Sequence, residues 1–137
     1  MLAPVLRYVS LAIVFITAAG CATTGGELSD AEQVANVIKQ YEQGLTNQDV
    51  DMIMELVSNN LESASKADVR AFWEDYKAQG ILDGIEVDTE ETETEIDGDS
   101  ALVGPLYLVS PAGSLTQDFS LRKEADGVSR VSDVIQY

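Results

Sequence analysis

The hydrophobic period changes once along this chain, at Gly80, and that change limits the folds open to it. From residue 29 to 80 apolar residues recur at helical spacing, and from 81 to 137 they alternate at period two. A run of helices followed by a run of strands predicts an α+β domain, with the helices packed on one face of an antiparallel sheet.

The helical half carries its own start and stop signals. Ser29-Asp30-Ala31-Glu32 has the spacing of a capping box, a hydroxyl for the first free N–H groups and a carboxylate three residues on. Val34, Ile38, Tyr41 and Leu45 follow as one amphipathic stripe. Thr46-Asn47-Gln48 breaks that helix, and Asp49 can cap a second one bearing Val50, Ile53, Met54 and Val57 and ending near Ser58-Asn59-Asn60. Ser65-Lys66-Ala67-Asp68 is a further capping box. It opens a helix with Val69, Phe72, Trp73 and Tyr76 on one face, and Gly80 is placed to stop it.

In the strand half, Ile85, Val87 and Thr89 alternate with acids, and Glu91, Glu93 and Glu95 give the next strand one acidic face. Asp97-Gly98 signals a turn. Ala101 to Val109 is almost continuously apolar, which predicts a central strand covered on both faces, with a bulge or unpaired position at Pro105. After Pro111-Ala112-Gly113, residues Leu115, Gln117, Phe119 and Leu121 share a face. Asp126-Gly127 turns the chain again, and the last strand occupies Val128 to Tyr137.

Charge divides the chain elsewhere. Residues 1–20 contain one charge, Arg7, and every one of the 24 acids lies beyond Cys21, the sole cysteine. The formal charge of −16 becomes −17 if Arg7 is removed. Such an excess excludes nucleic acid as a partner, because phosphate binding requires clustered Lys and Arg. No disulfide can form within the chain, and with no histidine there is neither a histidine triad nor a histidine metal ligand. Met1 to Arg7, the apolar run Leu11 to Ala19 and the small residues Ala18-Ala19-Gly20 before Cys21 have the layout of a cleaved export signal, too short for a permanent span.

That segment resembles a bacterial lipoprotein signal. The resemblance implies a signal peptide over 1–20 and a diacylglyceryl group on the Cys21 sulfur, with the new amine often acylated, for instance with palmitate. Ala18 stands where Leu is commonest in that motif. Ala22, in place of the Asp that favours inner-membrane retention, implies an outer-membrane lipoprotein facing the periplasm. Residues 21–28 are then the lipidated cysteine and a short Gly-bearing tether, leaving 29–137 as one domain. Gly25-Gly26 lacks the flanking pattern of a phosphate loop.

The mature part resembles the nuclear transport factor 2-like superfamily, which includes SnoaL-like polyketide cyclases and ketosteroid isomerases. The carrying features are a first helix ending in Tyr41-Glu42-Gln43-Gly44-Leu45-Thr46-Asn47-Gln48-Asp49, an aromatic-bearing helix and a late strand meander. The resemblance implies a cone, in which the sheet curls around the helices and leaves a pocket. Tyr41, Trp73 and Tyr76 are the aromatic candidates to line it, and Asp49 or Asp118 the candidate proton acceptor. Isomerases of the superfamily use an Asp base with a Tyr donor. The dehydratase His–Asp pair has no counterpart in a chain without histidine. Homodimers are common in the superfamily, which makes a second copy a candidate partner.

Two functional readings follow. One is a lipid-anchored, non-catalytic domain that binds a small apolar ligand or a protein partner. The alternative is a small isomerase- or cyclase-type pocket enzyme with an Asp base. No cofactor is expected under either. The acidic stretch from Asp88 to Asp99 predicts no metal site, since calcium needs six to eight converging oxygens and alternate strand side chains splay. A solvated sheet edge that resists aggregation accounts for it.

Overall fold

A computed structural model describes residues 29–137. The expected signal peptide, Cys21 and the tether up to residue 28 lie outside the described residues. Three helices come first: α1 (Asp30–Thr46), α2 (Val50–Glu55) and α3 (Lys66–Ala78). Five strands follow: β1 (Glu86–Asp88), β2 (Glu93–Asp97), β3 (Ser100–Ser110), β4 (Gly113–Lys123) and β5 (Ser129–Gln136). No helix among the described residues is long and apolar enough to cross a membrane.

Side chains close the helix starts as their spacing predicts. On α1 the Glu32 N–H donates to Ser29 Oγ at 3.2 Å while the Ser29 N–H donates to Glu32 Oε2 at 3.1 Å. On α3 Ser65 and Asp68 make the same reciprocal pair. Asp49 caps α2 by accepting from the Met52 N–H at 3.1 Å. The α1 stripe is rotated slightly from its sequence reading: Val34, Val37, Tyr41 and Leu45 are buried and Ile38 only partly so. Helix α2 stops earlier than expected, because Leu56 to Ser58 leave it to pair with β5. The Ser58 N–H donates to the Val131 carbonyl, and the Val131 N–H to the Leu56 carbonyl, both at 2.8 Å. Gly80 takes a positive φ of 75° just past α3, which glycine adopts without steric cost.

The sheet is antiparallel and curved, with β3, β4 and β5 side by side and the helices on one face. The edge beyond β3 is shared. The short β1 pairs with Tyr107 to Val109 and β2 with Ser100 to Gly104. Between these halves, the β3–β4 register shifts from Val103 to Leu106, so Pro105 occupies the irregular position the sequence predicts. The Thr92 hydroxyl donates to the Pro105 carbonyl at 2.6 Å, bridging the gap. A second shift lies opposite Ser132, between Ser120 and Leu121 of β4. Both bulges add bend and twist, and a sheet that bends can wrap the helices.

One expectation for β3 is corrected. Ala101, Val103, Leu106 and Leu108 are buried, but Leu102 and Val109 are about half exposed, so only the helix-facing side is covered. The apolar run reflects a strand that is apolar on both faces but covered on one. Glu91 also departs from the predicted acidic strand. It sits in the turn before β2 and accepts from the Tyr107 hydroxyl at 3.0 Å, while Glu93, Glu95 and Asp97 lie exposed on β2. On the inner side Leu45, Ile53, Leu82, Leu106 and Leu121 form the driest part of the core.

Candidate functional site

Amphipathic α1 and α3 and the inner face of β4 deliver four aromatic rings to one region. Tyr41 meets Phe119 edge-to-face at 4.9 Å between centroids and Trp73 at 6.0 Å, and Phe72 meets Trp73 at 5.0 Å. These are the offset geometries that ring quadrupoles favour. The rings do not fill the space between helices and sheet. A cavity of about 260 Å³ remains, floored by Tyr41, Ile53, Trp73, Gln117 and Phe119 and walled by Val57, Val69, Val131 and Val134. Its mouth is bordered by the exposed residues Ala64, Asp68 and Gln136. A smaller cavity of about 200 Å³ lies across the Trp73 indole, against Tyr76, Ile85, Leu108 and Leu115.

One polar contact defines the floor. The buried Tyr41 hydroxyl donates to Gln117 Oε1 at 2.5 Å. Burial holds the Tyr41 phenol well above its ordinary pKa, so it remains neutral at physiological pH. Gln117 is only 1% exposed. Turning its amide over would leave the buried phenol proton without an acceptor, so the oxygen faces Tyr41 and the nitrogen faces away. Among the described residues Nε2 has no hydrogen-bond acceptor, and no fully buried side-chain polar atom lacks a partner. The free amide donor therefore borders the open space of the cavity that Gln117 lines.

The sequence-predicted residues separate. Tyr41 and Trp73 line the larger cavity, and Tyr76 lines only the smaller one. Asp49 is exposed and engaged as the α2 cap, lining neither cavity. Asp118 is on the opposite face of β4 from Gln117 and Phe119, where it accepts from the Tyr137 hydroxyl at 3.0 Å. Its side chain also crowds Gly104: a Cβ there would come within 2.0 Å of an Asp118 oxygen. Neither aspartate borders the space in which a ligand of this cavity would sit.

The sequence reading did not single out Gln117 and Asp68 as site residues, although it contained the signal for each. Gln117 is the one amide in an otherwise apolar alternating face. Asp68 is the capping-box acid of α3, and the cap that fixes it also places it at the mouth. Ser65 Oγ donates to Asp68 Oδ2 at 2.7 Å and the Ser65 N–H at 3.3 Å. Both bonds hold the Asp68 carboxyl below its ordinary pKa, so it is ionised at neutral pH. Among the described residues no group of three or more Cys, Asp or Glu side chains is arranged to hold a metal ion.

No protein-family model matches the chain. No curated protein matches it either. Its likeness is to solved structures. A candidate ketosteroid isomerase from Shewanella frigidimarina superposes with a TM-score of 0.62 at 19% identity, over 77% of this chain and 94% of that one. A nuclear transport factor 2-like protein from Pseudomonas putida gives 0.62 at 16% identity, over 80% and 88%. A candidate calcium/calmodulin-dependent protein kinase II association domain from Xanthomonas campestris gives 0.59 at 16% identity, over 80% and 87%. The fold is thus the cone-shaped nuclear transport factor 2-like fold. Identities this low establish the fold and leave function to the site.

Proposed function

We propose that this protein is a lipid-anchored, cell-envelope domain that binds a small apolar ligand without transforming it. The observation that carries this reading is the division of labour around the larger cavity. Its walls and floor are aromatic and aliphatic, its deep polar group is an amide, and its one lining carboxylate among the described residues is an exposed cap at the mouth. A proton-abstracting enzyme needs a carboxylate within reach of the substrate and a pKa raised towards neutrality. Asp68 is shifted the other way. Asp49 and Asp118, the bases of the isomerase reading, are committed elsewhere.

The anchor in this reading is a lipid on Cys21, supported by the small-residue run into the only cysteine and by the Gly-bearing tether behind it. Two or three acyl chains hold a domain of this size on a bilayer, since each buried methylene contributes about 0.8 kcal/mol. With Ala22 after the cysteine, the domain faces the periplasm from the outer membrane.

Trp73 is the sole tryptophan and lines the cavity, so its emission is a built-in reporter. Titration of the processed protein with 4-phenylbutanol should change that emission saturably at one ligand per chain. Val69→Phe, which fills the cavity wall, should weaken binding by about tenfold or more while leaving a cooperative melt. Binding that is unsaturable, or unchanged in Val69→Phe, would contradict the reading. So would deuterium exchange into a small apolar ketone at a rate proportional to protein concentration.

A further inference from the structure

We infer that the larger cavity selects its ligand by charge, taking small apolar amines in preference to isosteric alcohols and rejecting carboxylates. The inference rests on the ligand-binding reading above and adds the class of ligand.

The polar groups are arranged along the depth of the cavity. At the floor, Gln117 Nε2 offers a hydrogen-bond donor that no described residue uses. Around it are the apolar side chains of Ile53, Val57 and Phe119 and the rings of Tyr41, Phe72 and Trp73. At the exposed rim stands Asp68 with one carboxylate oxygen engaged by Ser65 and the other, Oδ1, without a bond to any described residue. Among the described residues no Lys or Arg lines the cavity.

This gradient treats the two signs of charge differently. A carboxylate at the mouth would meet Asp68 with no countercharge among the lining residues. An ammonium at the same place would meet an anion, with which it can pair. The start of α3 lies at the rim and contributes roughly half a positive charge, which favours anions. Asp68 carries a full negative charge within that first turn, so the balance at the mouth is negative. The excess negative charge of the whole chain acts in the same direction, raising the local concentration of cations.

The test uses three probes that differ only at the head: 4-phenylbutylamine, 4-phenylbutanol and 4-phenylbutyrate. Each is titrated into the processed protein in moderate salt with Trp73 emission as the readout. The amine should bind about fivefold more tightly than the alcohol, in line with a partly exposed ion pair. The carboxylate should bind more weakly than the alcohol. Asp68→Asn should bring amine and alcohol to equal affinity. Glu95→Gln, which removes the same charge from exposed β2, should preserve the amine's advantage. Melting curves of both variants verify that the fold is kept. If the alcohol binds but the amine gains nothing, or if Glu95→Gln erases the gain as fully as Asp68→Asn, the charge selection is wrong and the ligand-binding reading stands. If none of the three binds, both fall.

Discussion

At the scale of single residues, the floor of the site is the Tyr41–Gln117 pair. Tyr41 belongs to the α1 stripe that the sequence predicts, and its neighbour Trp73 to the α3 stripe. Their burial was therefore legible from spacing alone. Gln117 was legible only as a member of a buried face, because its partner is 76 residues away in the chain. Asp49 was read both as a cap and as a base, and local geometry chose the cap. Tyr41→Phe removes the donor and leaves Gln117 Oε1 buried and unpaired, which should cost about 1–3 kcal/mol. The same pair predicts an alkaline signature. The Tyr41 pKa is raised in the folded state, so its contribution is fully present below the unfolded value of about 10 and is lost as pH rises beyond it, when unfolding releases the phenol proton. Tyr107 and Tyr137, also raised by their bonds to Glu91 and Asp118, titrate in that range. The readout is accordingly the difference between wild type and Tyr41→Phe. Urea denaturation should show the stability gap narrowing above about pH 10, and a gap independent of pH would contradict the assignment.

At the scale of elements, sequence pattern located the helices and strands of the described residues but misjudged what only long-range pairing decides. The capping boxes at Ser29 and Ser65 fixed two helix starts because both partners lie within one turn. The early end of α2 depends on Val131, and the one-sided cover of β3 depends on where the helices stop, so neither is written locally. The joint between α1 and α2 is a place where packing and turn chemistry coincide. The Asp49 N–H donates to the Gly44 carbonyl at 2.8 Å, folding α2 back so closely that a Cβ on Gly44 would lie 2.8 Å from Ile53 Cγ1. Ile53 is itself buried and part of the cavity floor. Gly44→Ala should destabilise the domain by about 1–3 kcal/mol through overpacking, despite alanine's better helix propensity. A chemical denaturation curve shifted to higher stability would show that α2 can retreat and that the joint is loose.

At the scale of the whole molecule, the curved sheet, the bulges at Pro105 and Ser132 and the three-helix cover leave a lined space where a flat sheet would have closed the core. The α+β order and the cone were legible from the change of period and the superfamily resemblance. The cavity was not, because its size depends on side chains from five elements and the loop before α3. If the protein is lipid-anchored as proposed, mass spectrometry of the purified mature protein should show an N-terminus that begins at Cys21 and carries a diacylglyceryl mass. An unmodified Cys21, or cleavage elsewhere, would contradict it. The claim that gives the domain a function is that the space above Gln117 is a ligand site. It is tested most directly by a ¹H–¹⁵N spectrum recorded during titration with 4-phenylbutanol. A ligand site there gives saturable shifts, at one ligand per chain, led by the Trp73 indole N–H and the Gln117 side-chain amide. Shifts confined to the exposed sheet face around Leu102 and Ile135, or none that saturate, would contradict it.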